Sequence, residues 1–224
     1  MIRSLLVATL ALAASPPPAN AASGEARDRE RVNGSITITE GDRAGDVTTV
    51  NGSVNIGVRA TVDDAQTVNG SISLGEDAAA DSLQTVNGSI NVAVRGRISG
   101  DVETVNGSIT LGRSAAVAGD VRNVAGRIVL DGARINGDLK TVKGDIELRA
   151  GARLDGDLIY EKPSMGVSLD LGDPPRVVIG PDASVGGTMR FGREVKLYVS
   201  DRAKVDRIEG ATPARFSGDA PPKD

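Results

Sequence analysis

The sequence predicts an all-β fold, a single-stranded parallel β-helix (β-solenoid) of about nine coils of 18–19 residues. Three observations lead to this prediction. A pentapeptide recurs at a nearly constant spacing, apolar and polar residues alternate beside each copy, and the 224-residue chain contains 28 Gly but only 2% aromatic residues. Alternation indicates strands, frequent Gly indicates tight corners, and a constant period indicates like units that stack on one another.

The repeated pentapeptide is Val-Asn-Gly-Ser followed by Ile or Val, with two degenerate copies. The copies begin at Val32, Val50, Val68, Val86, Val105, Val124 and Val142. The steps between them are 18, 18, 18, 19, 19 and 18 residues, which chance does not explain. A second half-motif, an apolar residue followed by x-Gly-Asp, lies between the later copies. We expect positive φ at the Asn-Gly and Gly-Asp corners, and an interior of Val, Ile, Leu and Ala too narrow for aromatic side chains.

The first element in chain order is a predicted secretory signal peptide at residues 1–21. Arg3 lies in a short basic start, an apolar run covers 5–14, and an A-x-A cleavage triplet stands at 19–21. The apolar run is shorter than the roughly 20 residues that span a bilayer. The mature chain is therefore expected to have no transmembrane segment and to be exported to the periplasm, the cell surface or the medium.

Residues 22–31 are predicted to form an N-terminal linker or cap, whose charges blunt the first strand edge. The solenoid follows at 32–210, with an irregular loop at about 161–176 where the period slips. Residues 211–224 are predicted to form a disordered tail. Because both terminal coils expose strand edges, a homopolymer joined through these coils is one expected partner. A component of the cell envelope or cell surface is the other.

The composition excludes several classes of enzyme and binding protein. The chain has no His and no Cys, which removes serine–histidine triads, cysteine nucleophiles, disulfides and the usual zinc ligands. A net charge of −4 gives no electrostatic reason to expect a nucleic-acid partner. We predict no catalytic residue, no cofactor and no enzyme activity. A carbohydrate-active β-helix enzyme is the least favoured alternative, because the regular coils lack acidic clusters and aromatic platforms.

Residues one period apart stack into rows in a solenoid, so the repeat predicts rows of like side chains. A row of Asn at the corners is expected to form a structural ladder, because Asn tolerates the left-handed backbone and amides one coil apart can hydrogen-bond. The members of this Asn ladder are Asn33, Asn51, Asn69, Asn87 and Asn106.

A row of Asp from the second half-motif has two interpretations. Carboxylates about 4.8 Å apart repel one another unless they are paired or screened. The structural interpretation pairs them with Arg97, Arg134 and Arg153, each four residues before an Asp. The alternative is a calcium ladder, since calcium binds carboxylate oxygens. The candidate ligands of that ladder are Asp101, Asp120, Asp138 and Asp157.

Two rows of hydroxyl and amide side chains predict a flat, uncharged polar face on the first five coils. A solvated sheet face is the simplest interpretation, and an adhesin-like binding surface is the alternative. The members of this polar face are Ser35, Thr37, Ser53, Asn55, Ser71, Ser73, Ser89, Asn91, Ser108 and Thr110.

Two parts of the repeat resemble known families. The G-x-I-x-L and G-A-x-I-x-G-D-L units at 126–139 and 144–158 resemble the bactofilins, and the V-N-G-S-I copies are similar to an exported adhesin-type repeat family of unknown function. The bactofilin resemblance implies a right-handed β-helix whose rods join end to end into filaments without nucleotide. The predicted signal peptide departs from the bactofilin pattern, because a cytoskeletal filament works in the cytoplasm. Polymerisation outside the membrane is the interpretation consistent with both features.

Overall fold

A computed structural model describes residues 26–162 and 173–222, and within them all 25 strands pair in parallel and no helix occurs. The predicted parallel β-solenoid of about nine coils is therefore confirmed. None of the described residues belongs to a helix long and apolar enough to cross a membrane. The predicted signal peptide at 1–21 and most of the predicted loop at 161–176 lie outside the described residues.

Each coil is three-sided, because the chain forms a long strand, turns into a second strand and then closes through a short third segment. The first face, on which each coil begins, consists of β1 (Arg29–Asn33), β3 (Val47–Asn51), β5 (Asp64–Asn69), β8 (Ser82–Asn87), β11 (Val102–Asn106), β14 (Val121–Ala125), β17 (Leu139–Lys143) and β20 (Leu158–Tyr160).

The second face is one continuous ten-stranded parallel sheet. It consists of β2 (Ile36–Ile38), β4 (Val54–Ile56), β6 (Ile72–Leu74), β9 (Ile90–Val92), β12 (Ile109–Leu111), β15 (Ile128–Asp131), β18 (Ile146–Arg149), β21 (Arg176–Ile179), β23 (Lys196–Ser200) and β25 (Ala214–Phe216).

The third face is short and is built from two-residue strands. It consists of β7 (Ala79–Ala80), β10 (Arg97–Ile98), β13 (Ala116–Val117), β16 (Arg134–Ile135) and β19 (Arg153–Leu154). Two longer strands, β22 (Ser184–Phe191) and β24 (Lys204–Glu209), continue from the third face onto the first face of the next coil. Through β22, which pairs with both β19 and β20, the first and third faces become one sheet.

The core consists of inward side chains that stack on the same residue type one coil away. Ile72 pairs in register with Ile90 and Leu111 with Leu130, and all four are at most 2% exposed. Strands of the regular coils such as β4, β6, β9 and β12 bury every second side chain, as the alternating pattern requires. Full burial of one such side chain stabilises the fold by about 1.5–3 kcal/mol, so the stack itself is the main source of stability.

The interior does accept aromatic side chains near the C-terminal end, contrary to the expectation from the sequence. Tyr160 is 1% exposed, Phe191 is 7% exposed, and their ring centroids lie 5.6 Å apart. Tyr160 occupies the first-face register of Thr141 one coil later, and Phe191 occupies the same register two coils later. The Tyr160 hydroxyl donates to the Gly144 oxygen at 2.6 Å, so it reaches a Gly carbonyl of the preceding coil.

The left-handed backbone lies mainly at a corner other than the one predicted. No Asn of the Asn ladder has positive φ; instead Arg59, Asp77 and Arg95 take φ of 56° to 57° at the corner between the second and third faces. At most of the Asn-Gly corners the Gly is required not by positive φ but because successive coils approach closely there. A Cβ added to Gly88 would lie 1.9 Å from the carbonyl oxygen of Gly70, which no side chain tolerates.

Both ends of the rod are more ordered than the sequence suggested. Strand β1 begins at Arg29, inside the predicted linker, and pairs with β3 from Arg29 to Asn33. Strand β25 lies inside the predicted tail and pairs with β23, with Phe216 only 6% exposed. Residues 29–31 and 214–216 add strands because their backbones still find a parallel partner, although their side chains break the repeat.

Candidate functional site

The Asn side chains stack at the corner between the first and second faces, where they form a hydrogen-bonded ladder. The Nδ2 of Asn51 donates to the Oδ1 of Asn33 at 3.1 Å, and Asn69, Asn87 and Asn106 repeat this contact at 3.0–3.1 Å. The amides are exposed but satisfy one another. The row therefore acts as a structural clamp between coils.

A row of buried hydroxyls lies next to the Asn ladder and was not identified from the sequence. From the second coil to the fifth, the residue two positions before the Asn is an inward Thr whose Oγ1 donates to a Gly carbonyl of the preceding coil. Thr67 reaches the Gly52 oxygen at 2.8 Å, and Thr85 reaches the Gly70 oxygen at 2.9 Å. The signal was present in the recurring Thr-Val-Asn-Gly tetrapeptide, but the period alone does not say which of Thr and Val faces inward.

The Thr row carries one irregularity. Asn123 replaces Thr in the sixth coil, and its Nδ2 donates to the carbonyl oxygens of Gly107 and Gly126 at 2.9 and 3.2 Å. The Gly126 oxygen is the acceptor that the regular pattern would give to Thr141. Among the described residues, the Thr141 hydroxyl and the Asn123 Oδ1 are buried without a hydrogen-bond partner.

The Asp row links coils through the backbone. The Oδ1 of Asp101 accepts the N–H of Asp120 at 2.7 Å, and the Oδ1 of Asp120 accepts the N–H of Asp138 at 2.8 Å. The Oδ1 of Asp138 accepts the N–H of Asp157 at 2.9 Å, and the Oδ1 of Asp157 accepts the N–H of Thr188 at 2.7 Å. One oxygen of each candidate calcium ligand is thus already bound to the protein.

Basic side chains on the first face neutralise the remaining Asp oxygens. Lys140 lies 3.0 Å from the Asp120 Oδ2 and 2.9 Å from the Asp138 Oδ2, Arg122 lies 2.7 Å from the Asp120 Oδ2, and Arg190 binds Asp157. Across the described residues, no three His, Cys, Asp or Glu side chains are arranged to hold a metal ion. The row has the contacts of a structural ladder.

Two of the three arginines predicted as partners of the Asp row bind elsewhere. Arg134 and Arg153 both bind Asp155, at 2.6 and 2.5 Å, on the third face. Residues four positions before each Asp project from the third face, whereas the Asp row lies at the following corner. The basic residue two positions after the Asp, as in Arg122 beside Asp120, lies on the adjoining first face and makes the contact instead.

Ionisation of Asp120 and Asp157 is favoured by these contacts. Partial burial opposes the charge on Asp120, but the Asp138 N–H and the Lys140 ammonium group outweigh it and lower its pKa. The pKa of Asp157 is lowered mainly by the Thr188 N–H, with Arg190 contributing. A carboxylate with a lowered pKa stabilises the folded chain at neutral pH.

The predicted polar face divides into two rows with different roles. The Ser residues lie at the corner, and the Oγ of Ser35 accepts the Ser53 N–H at 3.1 Å, a contact repeated along the row at 3.3 Å. The second row projects from the second face. Its members are Thr37, Asn55, Ser73, Asn91 and Thr110. These side chains form the only part of the predicted polar face, among the described residues, that lies on a flat sheet surface.

The described cavities are shallow and lie on the third face. One of about 470 Å³ is lined by small side chains such as Ala79 and Ala116 beside Arg97, and one of about 480 Å³ lies between Arg153 and Lys204. Both are remote from the corner where the loop at 161–176 leaves the rod. Aspartates line both cavities, Asp63 and Asp81 in the first and Asp155, Asp182 and Asp206 in the second. In the second cavity Arg153 binds Asp155 and Arg202 binds Asp182, so these carboxylates are held in ion pairs.

Comparison with known proteins confirms the resemblance for the middle of the rod. The family model of the bactofilins, described as polymer-forming cytoskeletal proteins, matches residues 74–169. This range includes the units at 126–139 and 144–158 that carry the resemblance in the sequence. No curated protein and no solved structure matches the chain.

Proposed function

We propose that this chain is a non-catalytic structural protein, a rod that joins end to end with further copies of itself into a filament. The match to a polymer-forming family over residues 74–169 is the observation that carries this proposal. The coils on both sides of that range continue the same parallel register, so the whole solenoid is one stack. Strands β1, β2, β24 and β25 each lack a described partner on their outer edge, which leaves backbone groups for another chain.

The two ends of the rod differ chemically. At the N-terminal end, Arg29 and Arg31 occupy the inward registers of Val47 and Thr49, and the Arg29 guanidinium donates to the Thr37 oxygen at 3.1 Å. At the C-terminal end, Val205 and Ile208 pack on the core and remain partly exposed. Burial of apolar surface favours association, so we infer that the C-terminal end makes the stronger junction.

Electron microscopy of the purified full chain across a concentration series, with light scattering alongside, tests this function. We expect filaments one rod wide whose length grows with concentration. Ile208→Arg should shorten them, because it places a charge in the apolar junction. Asp206→Arg, an exposed position on the same strand, serves as the matched control and should leave them intact. Monodisperse monomers at every concentration would contradict the proposal.

We further propose that the chain is exported after cleavage behind Ala21. The support is the sequence of residues 1–21, with its basic start, apolar run and A-x-A triplet. Mass spectrometry of the protein from fractionated cells should find a chain beginning at Ala22 in the periplasm or the medium. An intact Met1 terminus in the cytoplasmic fraction would instead place the filament inside the cell.

An adhesin-like binding surface is the second candidate function. It is favoured by the outward row of the second face, in which Thr37, Asn55 and Asn91 are exposed and uncharged. Cell-envelope preparations should retain the wild-type chain, and Asn55→Lys with Asn91→Lys should release it. Equal retention of the double variant would remove this candidate.

A further inference from the structure

A row of valines faces solvent along the first face. The Val that opens each repeat lies two residues after an outward polar residue and next to an inward Thr, so the strand directs it away from the core. We call this row the valine stripe. Its members are Val32, Val50, Val68, Val86, Val105, Val124 and Val142. Val32 and Val86 are 42% and 40% exposed, and the others are half-buried.

The surroundings of the valine stripe are free of charge at its centre. One side is lined by the Asn ladder, whose amides bind one another. The other side is lined by the outward residues two positions before each Val, which we call the flanking row. The flanking row consists of Glu30, Thr48, Gln66, Gln84, Glu103, Arg122 and Lys140. Six steps of about 4.8 Å make the stripe about 29 Å long, and Glu161 ends it.

We propose that the valine stripe is a lateral contact between two copies of this chain whose rods lie antiparallel. A contiguous exposed apolar surface on a soluble rod marks an interaction site, and an identical stripe on a second copy matches its spacing at every coil. A two-fold axis through Val86 places Val68 opposite the Val105 of the second copy. It also places Glu30 of one copy opposite Lys140 of the other at both ends of the contact, where the Lys140 ammonium group already binds Asp120 and Asp138 of its own chain.

The parallel arrangement is less favourable. It sets the flanking row of one copy against the Asn ladder and its continuation on the other, so Glu103 faces the Asn106 amide, Arg122 faces Ala125 and Lys140 faces Lys143. The antiparallel arrangement sets the flanking row against itself in reverse order, so Gln84 meets Gln84 and the terminal charges meet their opposites. Electrostatic complementarity of this kind selects register and orientation.

The area of the contact predicts its strength. A stripe of about 29 Å on a face about 17 Å wide buries about 1,000 Å² over both copies, the lower limit for a specific interface. One pair of rods should therefore associate weakly. Rods joined end to end present the stripe many times over, and multivalency makes the pairing of filaments strong. This last step rests on the proposed function, whereas the contact between two rods does not.

Single-cysteine crosslinking tests the contact, because the chain has no Cys of its own. Facing sheets pack about 10 Å apart, so a short bis-maleimide is the suitable probe. Val86→Cys should give a covalent dimer at concentrations where Val94→Cys stays monomeric. Val94 is the matched control, since it is 38% exposed but lies at the corner between the second and third faces. Equal yields from the two variants would overturn the proposal.

A second crosslinking experiment tests the antiparallel orientation of the two rods. In a mixture of Val68→Cys and Val105→Cys chains, one of them enlarged by a tag, we expect the mixed dimer to dominate over either homodimer. Homodimers of Val68→Cys as the main product would overturn the antiparallel arrangement.

These experiments need no filaments, so failure of the end-to-end proposal does not affect them. Where filaments form, Val86→Lys should separate paired filaments into single ones of unchanged length, and unchanged pairing would count against the stripe.

Discussion

At the scale of single residues, the buried Thr row shows how a polar side chain is fitted into a very narrow core. In four members of the row the hydroxyl is satisfied by a Gly carbonyl of the preceding coil, as in the 2.9 Å contact from Thr85 to Gly70. A buried hydroxyl without such a partner costs about 1–3 kcal/mol. Thr141 is in that position, because Asn123 has taken its acceptor.

Thr141→Val is therefore expected to stabilise the chain by about 1 kcal/mol, since the substitution removes an unsatisfied hydroxyl at nearly constant volume. Thr85→Val is the matched variant, and it should destabilise the chain by about 1 kcal/mol because it breaks a formed hydrogen bond. Urea denaturation followed by circular dichroism measures both. Changes of the same sign in the two variants would contradict the assignment of the hydroxyl partners.

The lowered pKa of Asp157 makes the stability of the chain depend on pH. The folded-state pKa of Asp157 lies below its unfolded value. Its contribution is thus fully present above the unfolded pKa of about 3.9 and is lost as the pH falls through the lower, folded value. Asp157→Asn keeps an oxygen to accept the Thr188 N–H but does not titrate. The urea concentration at the midpoint of unfolding should change less for Asp157→Asn than for the parent chain between about pH 6 and about pH 3. An identical pH profile for the two chains would exclude the role given to Asp157.

At the scale of the element, the repeated unit is held together at its corners. The Asn-Gly-Ser corner brings successive coils so close that the Gly position has no space for a side chain. At the corner between the second and third faces the requirement is a left-handed backbone, which residues such as Arg59 adopt. The strands between the corners are short, so the corners decide whether the coils can stack.

Gly88→Ala should therefore be among the most damaging small substitutions in the rod. Its Cβ would meet the Gly70 oxygen at 1.9 Å and the Gly70 carbonyl carbon at 2.5 Å, and overpacking of this kind costs about 1–3 kcal/mol or more. Gly186→Ala is the milder comparison, because its Cβ would lie 3.0 Å from the Asp155 oxygen and at least 3.6 Å from the other nearest atoms. Thermal unfolding should show the larger loss for Gly88→Ala, and the reverse order would refute the close-approach argument.

At the scale of the whole molecule, the rod behaves as a stack in which each coil contacts its neighbours. The strand pairings run from each coil to the next on all three faces, with few irregularities. Stability is then approximately a sum of coil terms and interface terms. The ladders add contacts only between adjacent coils, so the stability of the stack does not depend on any single coil.

Removal of one whole coil should consequently preserve the fold. Deletion of residues 69–86 joins Val68 to Asn87 and restores the repeat, so we expect a folded β-protein with a modestly lower melting temperature. Deletion of residues 69–77 removes half a coil, places inward residues on the wrong face and should abolish the cooperative transition. Circular dichroism melts of the two deletions distinguish these outcomes; similar melts would contradict the stacked-coil description.

The sequence by itself determined the period, the number of coils and the membership of each row. It could do so because contacts in a solenoid join equivalent positions of adjacent coils, and the spacing of Val32 to Val142 records those contacts directly. The Asn ladder, which recurs in five copies one period apart, follows from the same logic.

Only the tertiary structure decided which side of each row faces outward and what it meets there. Thr85 points inward and Val86 outward because of how the first strand meets its corner, and a period carries no information about that angle. The partner of Asp120 is likewise set by which face adjoins the corner, so Lys140 binds it and Arg134 does not. The burial of Tyr160 and Phe191 depends on the stacking of their rings between adjacent coils, with centroids 5.6 Å apart, and a contact between coils is a property of the assembled chain that no single repeat encodes.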